Sequence, residues 1–327
     1  MRRRAIASGV LAVLGLSLPG CGNSERDVVA APEPSAPRAR APEFPRPAPG
    51  ETLANVERGL PEGPILAPTV SVLEKGSNRF GFALFDVARK ELSGARVALY
   101  TARPDGTDVR GPYVGRSESL AVKRAFTSKT AAQDPDAAKS VYVADTPFTR
   151  SGRVTVTALA RLDGRLMKTA PETLSVGSEG ATPPGVGDRA IPINTETVVS
   201  VGGDISRIDT RVPPAPELHR ENLRDVLGKK PAVLVFATPQ LCQSRVCGPV
   251  VDVALQVKAA VSDDVAFVHQ EVYKDNAVEK GVRSQLRAWR LATEPWTFVI
   301  DRRGIVRARF EGALSADELR RAVAAVE

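Results

Sequence analysis

The sequence predicts two folded domains of different class, an all-β sandwich and then an α/β domain, after a disordered N-terminal tether. Three observations predict this arrangement. Pro and Ala are abundant before residue 65, short runs of alternating apolar and polar residues fill 65–178, and longer apolar runs alternate with helical patterns after 188. A chain of 327 residues is also long enough to bury two hydrophobic cores.

The first 20 residues have the layout of a secretory signal. Three arginines follow Met1, and residues 5–18 form an apolar run that is shorter than the roughly 20 residues of a membrane-spanning helix. The segment Leu18-Pro19-Gly20-Cys21 resembles the lipobox of bacterial lipoproteins. The resemblance implies that residues 1–20 are removed and that lipid on Cys21 anchors the chain to the extracytoplasmic face of a cell membrane. The alternative is an ordinary signal peptide with an incidental cysteine.

Residues 21–64 comprise the lipidated cysteine and a linker that is rich in Pro, Ala, Glu and Arg. Such a composition cannot bury enough apolar surface to offset the entropy of folding. We therefore expect an extended, semi-rigid and disordered linker that holds the folded domains away from the membrane.

Residues 65–178 are predicted to form the all-β sandwich. Apolar and polar residues alternate with a period of two, and turn-forming clusters separate the runs. The runs are 69–72, 79–85, 96–100, 140–143 and 153–159. Residues 82–100 and 147–158 resemble immunoglobulin-like modules of exported bacterial proteins. This stretch contains neither His nor Cys, so we expect a spacer or a protein-interaction module rather than a chemical site.

A Gly- and Pro-rich hinge, residues 179–188, precedes the predicted α/β domain, residues 189–327. The predicted element order is strand, helix, strand, helix, strand, strand, helix. The supporting segments are 231–236, 250–260, 265–268, 282–289, 297–300, 306–310 and 315–326. Residues 301–304 are a hairpin signature, and Ser315-x-x-Glu318 is a capping box that opens the last helix.

Three segments of this domain resemble the thioredoxin superfamily. Residues 233–242 resemble a first core strand that runs into a reactive cysteine, residues 294–301 resemble the segment with the family's cis-proline, and residues 186–188 resemble the entry segment of the peroxiredoxin-like branch. The resemblance implies a thioredoxin-like fold, a reactive Cys242 and a cis Pro295 beside it. It also implies that the backbone of Glu294 pairs with an extended substrate chain.

If Cys21 carries lipid, Cys242 and Cys247 remain, in a compartment where disulfides persist. Four residues separate them, whereas the thioredoxin motif has two. Positions five apart in a regular helix lie about 7.5 Å apart along its axis, which is too far for a disulfide with Cα atoms about 4.4–6.8 Å apart. We therefore expect the helix to begin at Pro249, after both cysteines. The alternative is a helix that unwinds when the cysteines pair.

These features predict a membrane-anchored thiol–disulfide oxidoreductase with Cys242, Cys247 and Pro295 at its site. Cys242 exchanges with thiols or disulfides of exported proteins, Cys247 resolves the mixed disulfide, and an unknown redox donor restores the pair. Arg245, between the cysteines, can favour a thiolate. Two alternatives stay open. One is a peroxiredoxin-like thiol peroxidase, although Thr238 lies one position farther from Cys242 than the family's Thr does. The other is a non-enzymatic surface adaptor with a structural disulfide.

No cofactor, metal or nucleic-acid partner is expected. The net charge is +7, but three of the basic residues lie in the signal and the rest are interspersed with acidic ones, which does not favour nucleic-acid binding. The two histidines are His219 and His269. We expect His219 on the surface of a Pro-rich segment, and neither histidine resembles a general base or a ligand. A copper site is not expected, because no later His and no Met cluster is present.

Overall fold

A computed structural model describes residues 38–177, 180, 182–242 and 246–327. The predicted signal, Cys21, the start of the linker and Arg245 lie outside the described residues. All described residues belong to one compact unit, residues 34–327. Among them, no helix has the length and apolar character that crossing a membrane requires.

Two antiparallel sheets occupy residues 65–176. One has the strand order β1-β2-β6-β5, and the other has the order β4-β3-β7-β8, with β9 also paired to β7. The strands are β1 (Ile65–Pro68), β2 (Gly76–Phe85), β3 (Arg96–Ala102), β4 (Arg110–Val114), β5 (Arg116–Ser119), β6 (Ser140–Phe148), β7 (Gly152–Leu162), β8 (Arg165–Lys168) and β9 (Glu172–Val176). Alternate residues of both sheets, including Phe82, Leu84, Leu99 and Val156, fill one buried core. The arrangement is compatible with the sandwich that the alternation predicts and with the resemblance to immunoglobulin-like modules.

The predicted disorder of residues 21–64 is wrong for the part that the structure describes, 38–64. A short helix α1 (Leu53–Val56) lies here, and Phe44, Leu53 and Val56 are buried against Tyr100 and its neighbours on β3 and β7. The Tyr100 hydroxyl also donates a 2.6 Å hydrogen bond to the Pro45 carbonyl. The average composition of the linker conceals these few apolar residues, which cover the outer face of a sheet.

A third sheet of four strands follows, in the order β11-β10-β12-β13. Its strands are β10 (Ala232–Phe236), β11 (Ala266–Gln270), β12 (Trp296–Ile300) and β13 (Val306–Glu311). β10 is parallel to β11 and antiparallel to β12, and β12 is antiparallel to β13. All residues of β10, β11 and β12 are buried, as expected for strands covered on both faces.

Helices and irregular chain cover the two faces of this sheet. The remaining helices are α2 (Lys129–Gln133), α3 (Leu223–Val226), α4 (Cys247–Lys258), α5 (Ser284–Ala288) and α6 (Ala316–Ala324). Val250 of α4 and Leu319 of α6 pack with Val235 on one face. Trp289 packs with Phe236 and other aromatic residues on the opposite face.

The α/β thioredoxin-like fold predicted for residues 189–327 is not supported. The described residues are mainly β-sheet, and of their six α-helices four have five residues or fewer and the longest has 12. The predicted helix 282–289 is reduced to Ser284–Ala288. Residues 182–222 contain only 3-10 turns, Ile205–Arg207 and Pro216–His219, among their helical elements. Prolines in that segment remove backbone donors and restrict φ, which prevents longer helices.

Polar contacts join the N-terminal sheets to the C-terminal sheet across the predicted hinge, residues 179–188. The amide and the hydroxyl of Ser71 donate to the Glu311 carboxylate over 2.8 Å and 2.5 Å. Arg79 of β2 pairs with Glu318 of α6 at 2.7 Å. These contacts place α6 directly against the sandwich.

Candidate functional site

The two cysteines lie between the end of β10 and the start of α4. β10 ends at Phe236, and the chain then continues to Cys242, which is partly buried, while Cys247 is fully buried in the first turn of α4. Residues 243–245, including Arg245, lie outside the described residues. The helix begins at Cys247, two residues before the predicted start, so the expectation that both cysteines precede it is wrong for Cys247. Pro249 lies within the first turn, where a proline loses no intrahelical hydrogen bond.

The two sulfurs and one carboxylate converge at this point. The Sγ atoms of Cys242 and Cys247 and a carboxylate oxygen of Glu294 all lie within 4.8 Å of one another. Both cysteines are thiols in the structure. Cys242 lies outside the helix, so the helical spacing that would separate the sulfurs does not apply. A disulfide requires the two sulfurs to approach to about 2.05 Å.

Sheet register explains why Glu294 and Pro295 reach the cysteines. β12 begins at Trp296, which lies opposite Phe236, the last residue of β10. The two residues before β12 and the loop after β10 therefore emerge at the same edge of the sheet. The Glu294–Pro295 peptide bond is cis, so the conformation implied by the resemblance is confirmed. Trp296 is 1% exposed and packs in the core of the sheet.

Burial dominates the electrostatics of Cys247. It raises the pKa of this thiol well above its ordinary value, and the neighbouring Cys242 and the charge of Glu294 raise it further. A hydrogen bond to the Thr238 backbone acts in the opposite direction. The helix N-terminus favours a thiolate as well, but it does not offset the loss of solvation. Cys247 is therefore a thiol near neutral pH.

Glu294 is a titratable group that the sequence interpretation left out, since only its backbone was assigned a role. Desolvation raises the pKa of its carboxyl to about 8, with further contributions from Cys242 and Glu271. At pH 7 this carboxyl is therefore mostly protonated, and it lies within reach of both sulfurs. A general acid or base needs a pKa near the working pH. The signal in the sequence was a Glu directly before Pro295.

A second buried cluster contacts the chain at Ala237, between β10 and Cys242. His219 and His269 are each 1% exposed and Asp209 is 2% exposed, so the expectation that His219 lies on the surface is wrong. His219 Nε2 lies 3.2 Å from His269 Nδ1, and His269 Nε2 lies 3.0 Å from the Ala237 carbonyl. The Pro-rich segment carries His219 inward because Ala215, just before the 3-10 turn Pro216–His219, and Leu218 within it belong to the same buried cluster as Phe267 of β11.

Comparison with known proteins gives no family for this chain. No family model matches it, and no curated protein matches it. The resemblance of its short segments to the thioredoxin superfamily and to the lipobox therefore stays a prediction.

Proposed function

We propose that this chain is a membrane-anchored thiol–disulfide oxidoreductase that acts outside the cytoplasm through Cys242 and Cys247. The observation that carries the proposal is the convergence of the two sulfurs with the Glu294 carboxyl within 4.8 Å. A dithiol needs this proximity to close into a disulfide, and proton transfer needs a group that titrates near neutral pH. Lipid on Cys21 anchors the protein, and the partners are thiols or disulfides of exported proteins.

The exposure of the two cysteines assigns their roles. Cys242 is partly exposed and Cys247 is 0% exposed, so a protein substrate reaches Cys242 first. The Cys242 thiolate attacks one sulfur of the substrate disulfide, that bond breaks, and the other substrate sulfur leaves as a thiolate. Protonated Glu294 supplies the proton that this thiolate takes up.

The second half of the reaction releases the substrate. Cys247 gives its proton to the Glu294 carboxylate and attacks the Cys242 sulfur, the mixed disulfide breaks, and the second substrate sulfur leaves as a thiolate. That thiolate takes up from the solvent the proton that Cys242 released when it became a thiolate. The substrate ends as a dithiol with two added electrons and two protons. The protein ends with a Cys242–Cys247 disulfide, which a separate thiol donor must reduce. The same steps in reverse oxidise a substrate dithiol.

Insulin reduction by the prereduced full chain tests the proposal. Cys242→Ser should abolish reduction, because no accessible thiolate remains, whereas Cys247→Ser should accumulate a mixed disulfide with the substrate. Cys21→Ser is the matched control: it should keep the reductase activity and should move the protein from the membrane fraction to the soluble fraction. An unchanged rate in Cys242→Ser contradicts the redox function. Peroxide consumption that Cys242→Ser abolishes, in place of insulin reduction, would assign a thiol peroxidase.

The reduction potential of the Cys242–Cys247 pair identifies the direction of electron flow. A potential near the value of about −270 mV of thioredoxin predicts a reductase, and one near about −120 mV predicts an oxidant. Equilibration of the chain with glutathione or dithiothreitol buffers, followed by thiol alkylation, measures it.

A further inference from the structure

We propose a second site in this protein, a Zn²⁺ site formed by Asp209, His219 and His269. The three side chains come from three separate parts of the chain: an irregular segment, the 3-10 turn Pro216–His219 and β11. Their ligand atoms all lie within 4.8 Å of one another. The proposal does not rest on the thiol chemistry of Cys242 and Cys247.

The distances between the ligand atoms match those around a tetrahedral ion. His219 Nε2 lies 3.2 Å from His269 Nδ1 and 3.4 Å from Asp209 Oδ2. His269 Nδ1 lies 3.8 Å from Asp209 Oδ1. Two bonds of about 2.1 Å that meet at the tetrahedral angle place their ligand atoms about 3.4 Å apart. Two imidazole nitrogens and the Asp209 carboxylate therefore offer three ligands at spacings that Zn²⁺ fits.

Hydrogen bonds outside the cluster orient its ligand atoms. His269 Nε2 lies 3.0 Å from the Ala237 carbonyl, which can only accept, so Nε2 carries the hydrogen and Nδ1 presents its lone pair. The carboxylate of Asp209 accepts from the Arg211 amide at 2.8 Å and from the Ala215 amide at 2.7 Å. Each oxygen retains a second lone pair for an ion. Metal-binding His and carboxylate side chains are commonly fixed by such outer hydrogen bonds.

A network of hydrogen bonds alone satisfies these atoms less completely than an ion does. In neutral His219, Nε2 carries at most one hydrogen, yet it faces both His269 Nδ1 and Asp209 Oδ2. Either His269 Nδ1 or Asp209 Oδ2 is therefore left without a full hydrogen bond from His219. Water does not replace it, because each of the three residues is at most 2% exposed. A cation satisfies these acceptors at once, whereas His219 Nδ1 has no hydrogen-bond partner in either arrangement.

The ligand set and the burial indicate Zn²⁺ in a structural role. Imidazole and carboxylate ligands suit Zn²⁺, and a site without exposed ligands offers no route for a substrate. The ion would fix residues 209–219 to β11, and His269 holds the backbone at Ala237, five residues before Cys242. The metal would therefore support the backbone on which the dithiol depends.

Zn²⁺ binding to a cysteine-free full chain tests the proposal. Replacement of Cys21, Cys242 and Cys247 by serine removes every thiol, so any retained metal must be bound by other ligands. After treatment with a chelator, titration against a competing indicator should show one equivalent of tightly bound Zn²⁺. Co²⁺ in its place should give visible ligand-field bands without the thiolate charge-transfer band. A cysteine-free chain that retains no Zn²⁺ overturns the proposal.

A matched pair of substitutions locates the ion. Asp209→Asn should weaken Zn²⁺ binding by about 10-fold or more, whereas Asp204→Asn, five residues earlier and exposed, should leave it unchanged. Equal affinities in the two variants overturn the proposal. If Asp209→Asn does not fold, the Co²⁺ spectrum of the cysteine-free chain decides: a nitrogen- and oxygen-ligated spectrum supports the site, and a spectrum of fully hydrated Co²⁺ overturns it.

Discussion

Glu294 links the chemistry of the cysteine pair to the stability of the fold. Its carboxyl has a pKa of about 8 in the folded protein, because it is desolvated and faces Cys242 and Glu271. In the unfolded chain the pKa returns to about 4.5. The folded state therefore binds a proton that the unfolded state has lost between these two pH values. Glu294 contributes full stability below pH 4.5, and this contribution is lost as the pH rises to about 8.

Replacement of Glu294 by Gln removes this pH dependence. We expect Glu294→Gln to have little effect on stability near pH 4.5 and to stabilise the protein at pH 9, since the amide stays neutral. Urea unfolding at the two pH values measures the change. The exposed Glu279→Gln serves as the control and should show no such difference. Equal effects of the two variants at pH 9 would contradict the burial of a protonated Glu294.

The same substitution separates a role in proton transfer from a structural one. We expect the rate of insulin reduction by the parent chain to change between pH 7 and 9 as Glu294 titrates, and the profile of Glu294→Gln to lack that step. Glu279→Gln should keep the parent profile. A Glu294→Gln profile parallel to that of the parent would show that this carboxyl does not exchange protons with the cysteines.

Sequence patterns identified the residues of the thiol site that lie next to regular elements. Cys242 follows a continuous apolar strand and Pro295 precedes another, so the alternation of elements located both. The acidic and imidazole side chains were missed for a physical reason. Whether Glu294 is half-buried and His219 fully buried depends on which distant segments pack over each of them. Residues 182–222 contain no regular helix or strand from which the path of the chain can be predicted.

At the scale of elements, Glu318 of α6 has two roles: it completes the capping box of its own helix, and it binds Arg79 of β2. The predicted capping box is confirmed: Ser315 Oγ accepts from the Glu318 amide at 3.1 Å, and Glu318 Oε2 accepts from the Ser315 amide at 3.3 Å. Arg79 of β2 binds both oxygens of the same carboxylate, at 2.9 Å and 2.7 Å. Burial raises the pKa of Glu318, but Arg79, the Ser315 amide and Arg116 outweigh it and lower the pKa.

Removal of Arg79 should therefore destabilise the protein more than the loss of an exposed charge would. We expect Arg79→Met to cost about 2–3 kcal/mol, below the usual cost of breaking a buried pair because Arg116 still contacts Glu318. The exposed Arg153→Met is the control and should leave the stability nearly unchanged.

The pH dependence identifies the ion pair as the source of this cost. The folded pKa of Glu318 is below 4.5, so the contribution of the pair is present above that pH and is lost as the pH falls. Urea unfolding at pH 7 and pH 3.5 should show the difference between Arg79→Met and the parent shrink at the lower pH. A cost that does not depend on pH would exclude the ion pair as its source.

Strand positions were more predictable than helix lengths. β10 and β12 lie within one or two residues of the apolar runs that predict them, since continuous apolar residues need cover on both faces. The predicted fold class failed where Pro and Gly limit helices to single turns. The predicted linker failed because Phe44, Leu53 and Val56 find a complementary sheet face, which composition alone cannot show.

At the scale of the whole molecule, Asp252 of α4 joins three parts of the chain. Its carboxylate accepts from Arg211 Nε at 2.8 Å and from the amide and hydroxyl of Ser128 at 2.9 Å and 3.0 Å. Arg211 in turn donates to the Phe126 carbonyl at 2.7 Å. The side chains of Arg211 and Asp252 are 3% and 1% exposed. Buried polar groups of this kind are stable only when all partners are in place, so residues on both sides of the predicted hinge depend on one another.

The full chain should therefore unfold in one cooperative transition rather than as two domains. Both tryptophans, Trp289 and Trp296, lie in the core of the C-terminal sheet, so their fluorescence reports that part alone, whereas far-ultraviolet circular dichroism reports strands throughout. We expect the two signals to give the same urea midpoint.

Asp252→Asn removes the countercharge of buried Arg211. It should lower both midpoints together and should reduce the free energy of unfolding by about 3–5 kcal/mol. Asp263→Asn, whose carboxylate is 90% exposed where it pairs with Lys258, should change them little. Midpoints that separate in the parent chain, or an Asp252→Asn effect confined to the fluorescence, would show that the sandwich and the C-terminal sheet fold independently despite the contacts between them.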